Sequence, residues 1–179
     1  GRLALVIARM PPLERWFDRR FAFDFPASLF PSIVERLRGT PARLEERLAG
    51  VPSTLLTRRF DDAWSIQEHA GHLLDLEPLW LERLQGFLAG ASTLVAADLT
   101  NRKTRTAGHN AQALDKLLQD FRTARAGFAS VLDGADALLI TRTALHPRLQ
   151  TPMRLVDHAF FVAEHDDHHL ATISMLLRQ

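Results

Sequence analysis

Three histidines lie within five residues in EHDDHHLATISMLL, the segment that covers residues 164–177. His165 and His169 are four positions apart, so on an α-helix their side chains would lie one turn apart and about 40° from each other around the axis. This H-x-x-x-H spacing allows two imidazoles to bind one metal ion. The pattern therefore indicates part of a metal site, with two hydrogen-bonded core histidines as the alternative interpretation.

The rest of this predicted helix favours a buried position for the pair. Its apolar residues share the face that carries His165 and His169: Leu155, Phe161, Val162, Ile173 and Leu176. His158 lies two turns earlier on the same face, about 20° from His165. Asp166 and Asp167 are expected to point to solvent. We therefore do not interpret Asp166 as the general base of a zincin-type protease, although it follows the first histidine of the pair.

A third ligand must come from elsewhere in the chain, because a catalytic zinc ion is held by three protein side chains and a structural one by four. The chain has no cysteine, which leaves histidine and the carboxylates. His69 and His72 both lie on or near the apolar face of another predicted helix. A helical wheel does not choose between them, and His69 is nearer the centre of that face. Asp75 lies one turn after His72 and could orient its imidazole.

The helix that carries His69 and His72 has the clearest start signal in the chain. Ser65 and Glu68 have the spacing of a capping box, in which each side chain bonds the backbone N–H of the other residue. The predicted helix continues through Pro78, which should bend it, and ends at Gly90. Glu68 is accordingly interpreted first as a helix cap and only second as a group that assists catalysis.

An earlier helical pattern covers residues 28–50. Gly39 is a candidate stop, and Thr40 followed by Pro41 resembles the start of a new helix. The segment therefore predicts either one kinked helix or two short ones.

Two further helical patterns lie in the second half of the chain. One covers residues 109–134, and the last opens at Thr151, with proline at the next position, and continues almost to the C-terminus. Residues 91–109 are rich in turn formers and are predicted to be a loop. Residues 135–150 are expected to hold a short extended piece.

Four long helices with few strand signals predict an all-α protein, a four-helix bundle with one or two longer crossings between helices. Residues 1–27 mix proline, aromatic and charged residues without clear periodicity. We expect them to form an irregular N-terminal arm on a metal-binding bundle of residues 28–179. The aromatic side chains that this arm would lay on the bundle are Trp16, Phe17, Phe21, Phe23 and Phe25.

Composition argues against several other classes of protein. The net charge is +1, so no strong positive field is available to attract nucleic acid. No apolar run approaches the roughly 20 residues that a bilayer-spanning helix needs. The apolar segment LALVIA near the N-terminus is not followed by a signal-peptide cleavage pattern. We therefore expect a cytoplasmic protein that binds neither nucleic acid nor membranes.

Two histidine-containing segments resemble the signatures of the DinB-like (DinB/YfiT) superfamily of proposed metalloenzymes. WSIQEHAGHLLD, residues 64–75, is similar to the opening motif of the family, and EHDDHHLATI, residues 164–173, is similar to its C-terminal signature. Between them, residues 97–104 and 117–128 look like its third-helix region. The likeness covers roughly residues 30–177.

The resemblance implies a four-helix bundle of the DinB/YfiT type that binds a divalent metal ion through three histidines. Imidazole ligands suit Zn, Ni or Fe. Carried over by position, the ligands are His72, His165 and His169, so the family pattern selects His72 where the wheel did not. Asp75 would support the site without binding the ion. His158 and the neighbouring His168 are not ligands in this interpretation, and His158 is expected to line the pocket.

Three imidazoles leave coordination positions open, which predicts a metal ion that activates a water or thiol nucleophile towards a small-molecule substrate. The expected activity is that of a hydrolase, if water is activated, or of a thiol S-transferase, if a thiol is. Some relatives are thiol-dependent S-transferases or isomerases that use bacillithiol or mycothiol. The alternative is a metal-stabilised bundle that acts by binding or dimerisation. Members of the family often pair, and the aromatic arm with Trp80 could cover a dimer face, so a homodimer is expected.

A ferritin-like di-iron bundle is a weaker alternative. Such proteins carry paired E-x-x-H motifs. In this chain Glu68 is followed three positions later by Gly71, and Glu164 by Asp167. The sequence therefore argues against a di-iron site.

Overall fold

The computed structural model describes residues 12–179, and its main elements are four long helices. They are α1 (Phe30–Leu48), α3 (Ile66–Ala89), α5 (Leu114–Asp133) and α7 (Leu155–Leu176). Three short helices lie between them: α2 (Ser53–Leu56), α4 (Arg102–Thr106) and α6 (Ala137–Thr141). Helices α1 and α3 each pack against both α5 and α7. The predicted all-α four-helix bundle is confirmed.

Helix α1 is continuous, although Gly39, Thr40 and Pro41 lie inside it. Proline has no backbone N–H, so Pro41 cannot bond the carbonyl of Leu37 one turn earlier. That carbonyl instead accepts a hydrogen bond from Nη1 of Arg125 on α5, at 3.1 Å. A neighbouring helix thus satisfies the group that the proline leaves free, and the helix is not divided into two.

Helix α3 begins as the sequence predicts. Ser65 Oγ accepts from the backbone N–H of Glu68 at 3.1 Å, and the Glu68 carboxylate accepts from the backbone N–H of Ser65 at 2.9 Å. The Glu68 carboxylate also forms an ion pair with Arg59. The helix continues through Pro78 and ends before Gly90, which has the left-handed φ of 72°. The Glu68 carboxylate therefore serves as the predicted helix cap.

The predicted start of the last helix at Thr151 is wrong. Residues Thr151–Arg154 form strand β2, which pairs antiparallel with β1 (Thr143–His146). Pairing in this hairpin buries Met153 completely, and helix α7 begins only at Leu155. Strand β1 confirms the short extended piece expected between residues 135 and 150. The segment predicted as a loop, residues 91–109, contains α4. The predicted start of the third long helix at residue 109 is wrong: His109–Ala111 form a 3₁₀ turn, and α5 begins at Leu114.

The prediction that Asp166 points to solvent is also wrong. Helix α7 packs against both α1 and α3, so most of its circumference is covered. The Asp166 carboxylate is fully buried and accepts hydrogen bonds from Arg125 and from Thr40 Oγ1, the latter at 2.7 Å. Asp167 is only partly buried and pairs with Arg36 and Arg43.

The N-terminal arm is described from residue 12 onwards, and residues 1–11 lie outside the described part of the chain. Four of its aromatic side chains pack against the hydrophobic core: Trp16, Phe21, Phe23 and Phe25. Phe17 is half exposed. The domain division at residue 27 stays a prediction. Among residues 12–179, no helix combines the length and apolar character needed to cross a membrane.

Candidate metal centre

Three histidines from two helices converge beside the core of the bundle. His72 lies on α3, and His165 and His169 lie one turn apart on α7. One ring nitrogen of each lies within 4.8 Å of the corresponding nitrogen of the other two. All three side chains are buried. The residues carried over from the family resemblance therefore meet at one point.

The orientation of the rings directs one nitrogen of each towards a common centre. His165 Nε2 and His169 Nε2 are 3.2 Å apart. The ring of His72 lies 5.3 Å from that of His165 and 4.8 Å from that of His169, between centroids. Two lone pairs cannot approach this closely without a shared proton or cation between them. The arrangement fits a cation held by three imidazoles.

The charge state of the cluster suits metal binding, which requires neutral imidazoles. Burial lowers the pKa of His72 to about 4. Burial, with smaller contributions from neighbouring imidazoles, holds the pKa of His165 and His169 well below the usual value. At neutral pH each ring is uncharged and keeps one lone pair. Such a donor set suits Zn, Ni, Fe or Cu.

Asp75 reaches His72 through Thr104 rather than directly. Thr104 Oγ1 donates to Asp75 Oδ2 at 2.8 Å and lies 2.9 Å from His72 Nδ1. Because the single hydroxyl proton is given to the carboxylate, Nδ1 of His72 must donate to the hydroxyl oxygen. Nε2 of His72 is then unprotonated and carries the lone pair that a metal needs. Asp75 is thus linked to His72 Nδ1 through the Thr104 hydroxyl, which fixes the orientation of the ring.

Replacing Thr104 with valine is expected to lower metal affinity about 10- to 100-fold, the range seen when a group that orients a ligand is removed. Valine keeps the shape of threonine but cannot accept the proton of His72 Nδ1. Competition titration against a chelator of known affinity measures the effect. Thr106→Val is the matched control, since Thr106 lies on the same helix, is exposed and bonds only backbone carbonyls of α4. Equal affinities of the two variants would rule out this orienting role.

A fourth histidine, His109, completes the hydrogen bonding of Asp75. His109 Nε2 lies 2.8 Å from Asp75 Oδ2, and the ring lies directly against Gly71. A Cβ atom at Gly71 would come within 2.3 Å of that ring, so only glycine allows the contact. Burial alone would raise the pKa of Asp75, but the hydrogen bonds from His109 and Thr104 hold it below the usual value.

Neither Thr104 nor His109 was predicted from the sequence as part of the site. They lie in a polar segment without periodicity, interpreted as a loop, and gave no signal of burial. The nearest signal in the sequence is Gly71, one turn before Asp75, because the residues around it in the helix are apolar or bulky.

The structure also separates His69 from His72, which the helical wheel could not do. His69 lies outside the converging cluster, and its Nδ1 is 2.9 Å from Nδ1 of His169. One of these two nitrogens carries the proton of the hydrogen bond. His69 therefore contacts the nitrogen of His169 that faces away from His165 and can orient that ring.

The remaining predicted residues divide between the cavity and the core. A cavity of about 380 Å³ opens beside the cluster, and His72, His165, His168 and His169 all line it. His158 does not: it is fully buried beside Trp80 and Phe87, and neither ring nitrogen has a partner among the described residues. The expectation that His158 lines the pocket is therefore wrong. The face of α7 that carries His158 extends beyond the cavity, so His158 packs in the core instead.

The aromatic residues near the site line this cavity. All three tryptophans of the chain, Trp16, Trp64 and Trp80, lie on its wall, together with Phe161. Trp80, expected to help cover a dimer face, is almost completely buried and faces the cavity instead. The cavity wall is thus largely apolar, with the histidine cluster on one side.

Comparisons with known proteins agree with this architecture. The family model described as the DinB superfamily matches residues 36–173. Among solved structures, the fold is similar to that of YfiT from Bacillus subtilis, described as a probable metal-dependent hydrolase with an unusual four-helix bundle topology. The TM-score is 0.78 and the identity 16%, with 89% of this chain and 92% of that chain covered. No curated protein matches by sequence. Since the family model spans most of the chain, from the first long helix to the last, this protein belongs to the DinB superfamily.

Proposed function

We propose that the chain binds a divalent metal ion through His72, His165 and His169 and uses it to hydrolyse a small-molecule substrate held in the adjacent cavity. The observation that carries the proposal is a cluster of three buried, neutral imidazoles on the wall of a cavity. Among residues 12–179, no carboxylate or fourth histidine joins the converging group. Three protein ligands are typical of a catalytic metal ion, which keeps a position open.

The metal ion, when bound, would lower the pKa of a water molecule or thiol towards neutrality. The protein contributes position and charge. Asp75 and Thr104 hold the His72 lone pair towards the centre, and His69 holds the ring of His169. His168 lines the cavity, and burial lowers its pKa, so it is a neutral base available to take up a proton. The apolar walls exclude bulk water from the rest of the cavity.

Hydrolysis is preferred to thiol transfer because YfiT, a solved protein with a similar fold, is described as a probable metal-dependent hydrolase. The metal is proposed to be Zn, Ni or Fe, all of which imidazole ligands accept. A thiol S-transferase remains the second form of the same chemistry, in which a thiol would take the place of water. The non-enzymatic alternative, a metal-stabilised binding module, predicts metal binding without turnover.

The test is an activity assay on tag-free protein loaded separately with each metal. Small p-nitrophenyl esters probe hydrolysis, and free cysteine with a small electrophile probes thiol transfer. We expect turnover that disappears on chelation and falls at least about 100-fold in His165→Leu, as expected when a transition-state interaction is lost. His158→Leu, with the same substitution in the same helix, should retain turnover. Metal binding with no turnover in any assay would instead favour the binding module.

A further inference from the structure

Two arginines on the cavity wall have no carboxylate partner among the described residues. Arg83 on α3 and Arg148 in the β1–β2 turn both line the cavity that contains the histidine cluster. Among residues 12–179 no acidic side chain pairs with either guanidinium, and residues 1–11 contain no Asp or Glu. Arg83 is nonetheless only 2% exposed. Buried arginine is otherwise found paired, as Arg125 is in this same protein.

The hydrogen bonds around Arg83 leave a surplus of donors. Its Nε donates to the carbonyl of Val95 at 2.9 Å, and its Nη1 lies 3.2 Å from Nε2 of His146. Nδ1 of His146 already accepts from the backbone N–H of Leu149 at 3.1 Å. A neutral imidazole has one lone pair, so it cannot accept at both nitrogens. One of the two donors therefore lacks an acceptor.

Arg148 adds to this surplus. Its Nη2 is buried and has no hydrogen-bond partner among the described residues, and its guanidinium lies over the ring of Phe17 at 5.3 Å. Burial, together with the charge of Arg148, lowers the pKa of Arg83 to about 10. Burial and the two arginines lower the pKa of His146 to about 3. The region is thus rich in positive charge and donors and poor in acceptors.

The one carboxylate on the cavity wall does not supply the missing acceptor. Asp98 is exposed, and its oxygens accept from Thr100 and from the backbone N–H of Arg102. It forms a local turn at the mouth of the cavity. Among the described residues, no carboxylate thus balances the two guanidinium groups.

We propose that Arg83 and Arg148 form an anion subsite that binds the oxyanion group, a carboxylate or a phosphate, of a small organic substrate. The apolar part of that substrate would lie against the aromatic wall, which includes Trp80 and Phe161. Guanidinium groups match the planar geometry of such oxyanions through paired hydrogen bonds. This inference rests on the proposed function, since it names the substrate class of the same cavity.

The test is calorimetric titration of metal-free protein, kept in chelator, with phenylacetate, phenyl phosphate and the neutral analogue phenylacetamide. We expect at least one anion to bind more tightly than the amide. Arg148→Met should weaken that binding about 10- to 100-fold, the effect of losing a charge-assisted hydrogen bond. The matched control is Arg58→Met, since Arg58 is exposed and lies over Phe60 as Arg148 lies over Phe17, but away from the cavity. Its affinity should equal that of the wild type.

Arg148 is the first choice because it is only partly buried, so its variant should fold; Arg83→Met is the second variant and should show the same loss. Anions that bind no more tightly than the amide, or equally to Arg148→Met and the wild type, would overturn the subsite.

Preference between phenylacetate and phenyl phosphate identifies the oxyanion. Metal content, measured separately by elemental analysis, tests the proposed function. If the protein binds the anion but no metal, the anion subsite is supported and the proposed metal-dependent hydrolase is refuted.

Discussion

His165→Leu is expected to weaken divalent-metal binding about 100- to 1000-fold, because a structural metal gains on the order of 10 kcal/mol or more from its ligands together. The choice of residue follows from its contacts. Nδ1 of His165 has no hydrogen-bond partner among the described residues, and Nε2 lies within hydrogen-bond distance of His169 Nε2 at the centre of the cluster. Replacing the side chain therefore removes one ligand and breaks few other interactions. Leucine is apolar and can pack against Trp16 and Trp80, which border the ring.

Titration of tag-free, metal-free protein with Zn²⁺ and Ni²⁺ measures this loss. A second measurement is the melting temperature, since a ligand at 100 times its Kd stabilises the folded state by about 2.7 kcal/mol. The wild type should melt higher with metal, and His165→Leu should not respond. His158→Leu is the control: it removes two unpartnered buried nitrogens from the same helix and should keep full metal affinity. Similar metal affinities for the wild type and His165→Leu would refute the three-histidine site.

Arg125→Met is expected to lower the free energy of unfolding by about 3–5 kcal/mol, the cost of removing one partner from a buried ion pair. Arg125 is almost completely buried between three helices. Its guanidinium donates to Glu77 Oε1 on α3 at 2.6 Å and to both carboxylate oxygens of Asp166 on α7. Without the arginine, two buried carboxyl groups would face each other with no cation. The carbonyl of Leu37, left free by Pro41, would also lose its donor.

The charge balance of this cluster explains why the loss should be large. Burial raises the pKa of Glu77 to about 7, although the charge and hydrogen bonds of Arg125 act against that rise. Removing Arg125 should raise it further, so Glu77 would take up a proton on folding. The second oxygen of Glu77 is already buried without a partner. The stability of this buried cluster therefore depends on the guanidinium of Arg125.

Chemical denaturation of Arg125→Met and Arg122→Met provides a matched comparison on one helix. Arg122 lies almost one turn earlier and pairs with Glu45 on the surface. Exposed pairs of this kind contribute about 0–1 kcal/mol. The triple variant Arg125→Met, Glu77→Gln, Asp166→Asn should recover part of the stability, because it removes the uncompensated charge. Equal losses for Arg125→Met and Arg122→Met would show that the buried cluster contributes no more than a surface pair.

The sequence alone was sufficient for features that depend on residues within one or two turns of each other. The pairing of His165 with His169 follows from helical geometry, and the Ser65–Glu68 cap follows from their spacing. Hydrophobic periodicity located the four long helices. These features are determined by local backbone geometry, so they do not require knowledge of which segments meet.

Errors arose where packing overrides the local pattern. Asp166 looked exposed because the wheel places it off the apolar stripe, yet α7 is covered on several sides and Arg125 supplies a buried partner. The start of α7 was placed too early because proline suits the first turn of a helix as well as an edge strand. Residues 151–154 form a strand and not a helical turn because residues 143–146 pair with them.

The candidate site likewise has some features that the sequence predicted and others that only the tertiary structure shows. The sequence predicted two imidazoles one turn apart on a buried face, and the family pattern selected His72 as their third partner. Only the tertiary structure showed that His69 contacts the far side of His169, that Asp75 reaches His72 through Thr104, and that His109 also bonds Asp75. It alone revealed two arginines in the same cavity that have no carboxylate partner within residues 12–179. Each of these contacts joins segments 29 to 100 positions apart, and their meeting depends on how whole helices pack, which no short pattern encodes.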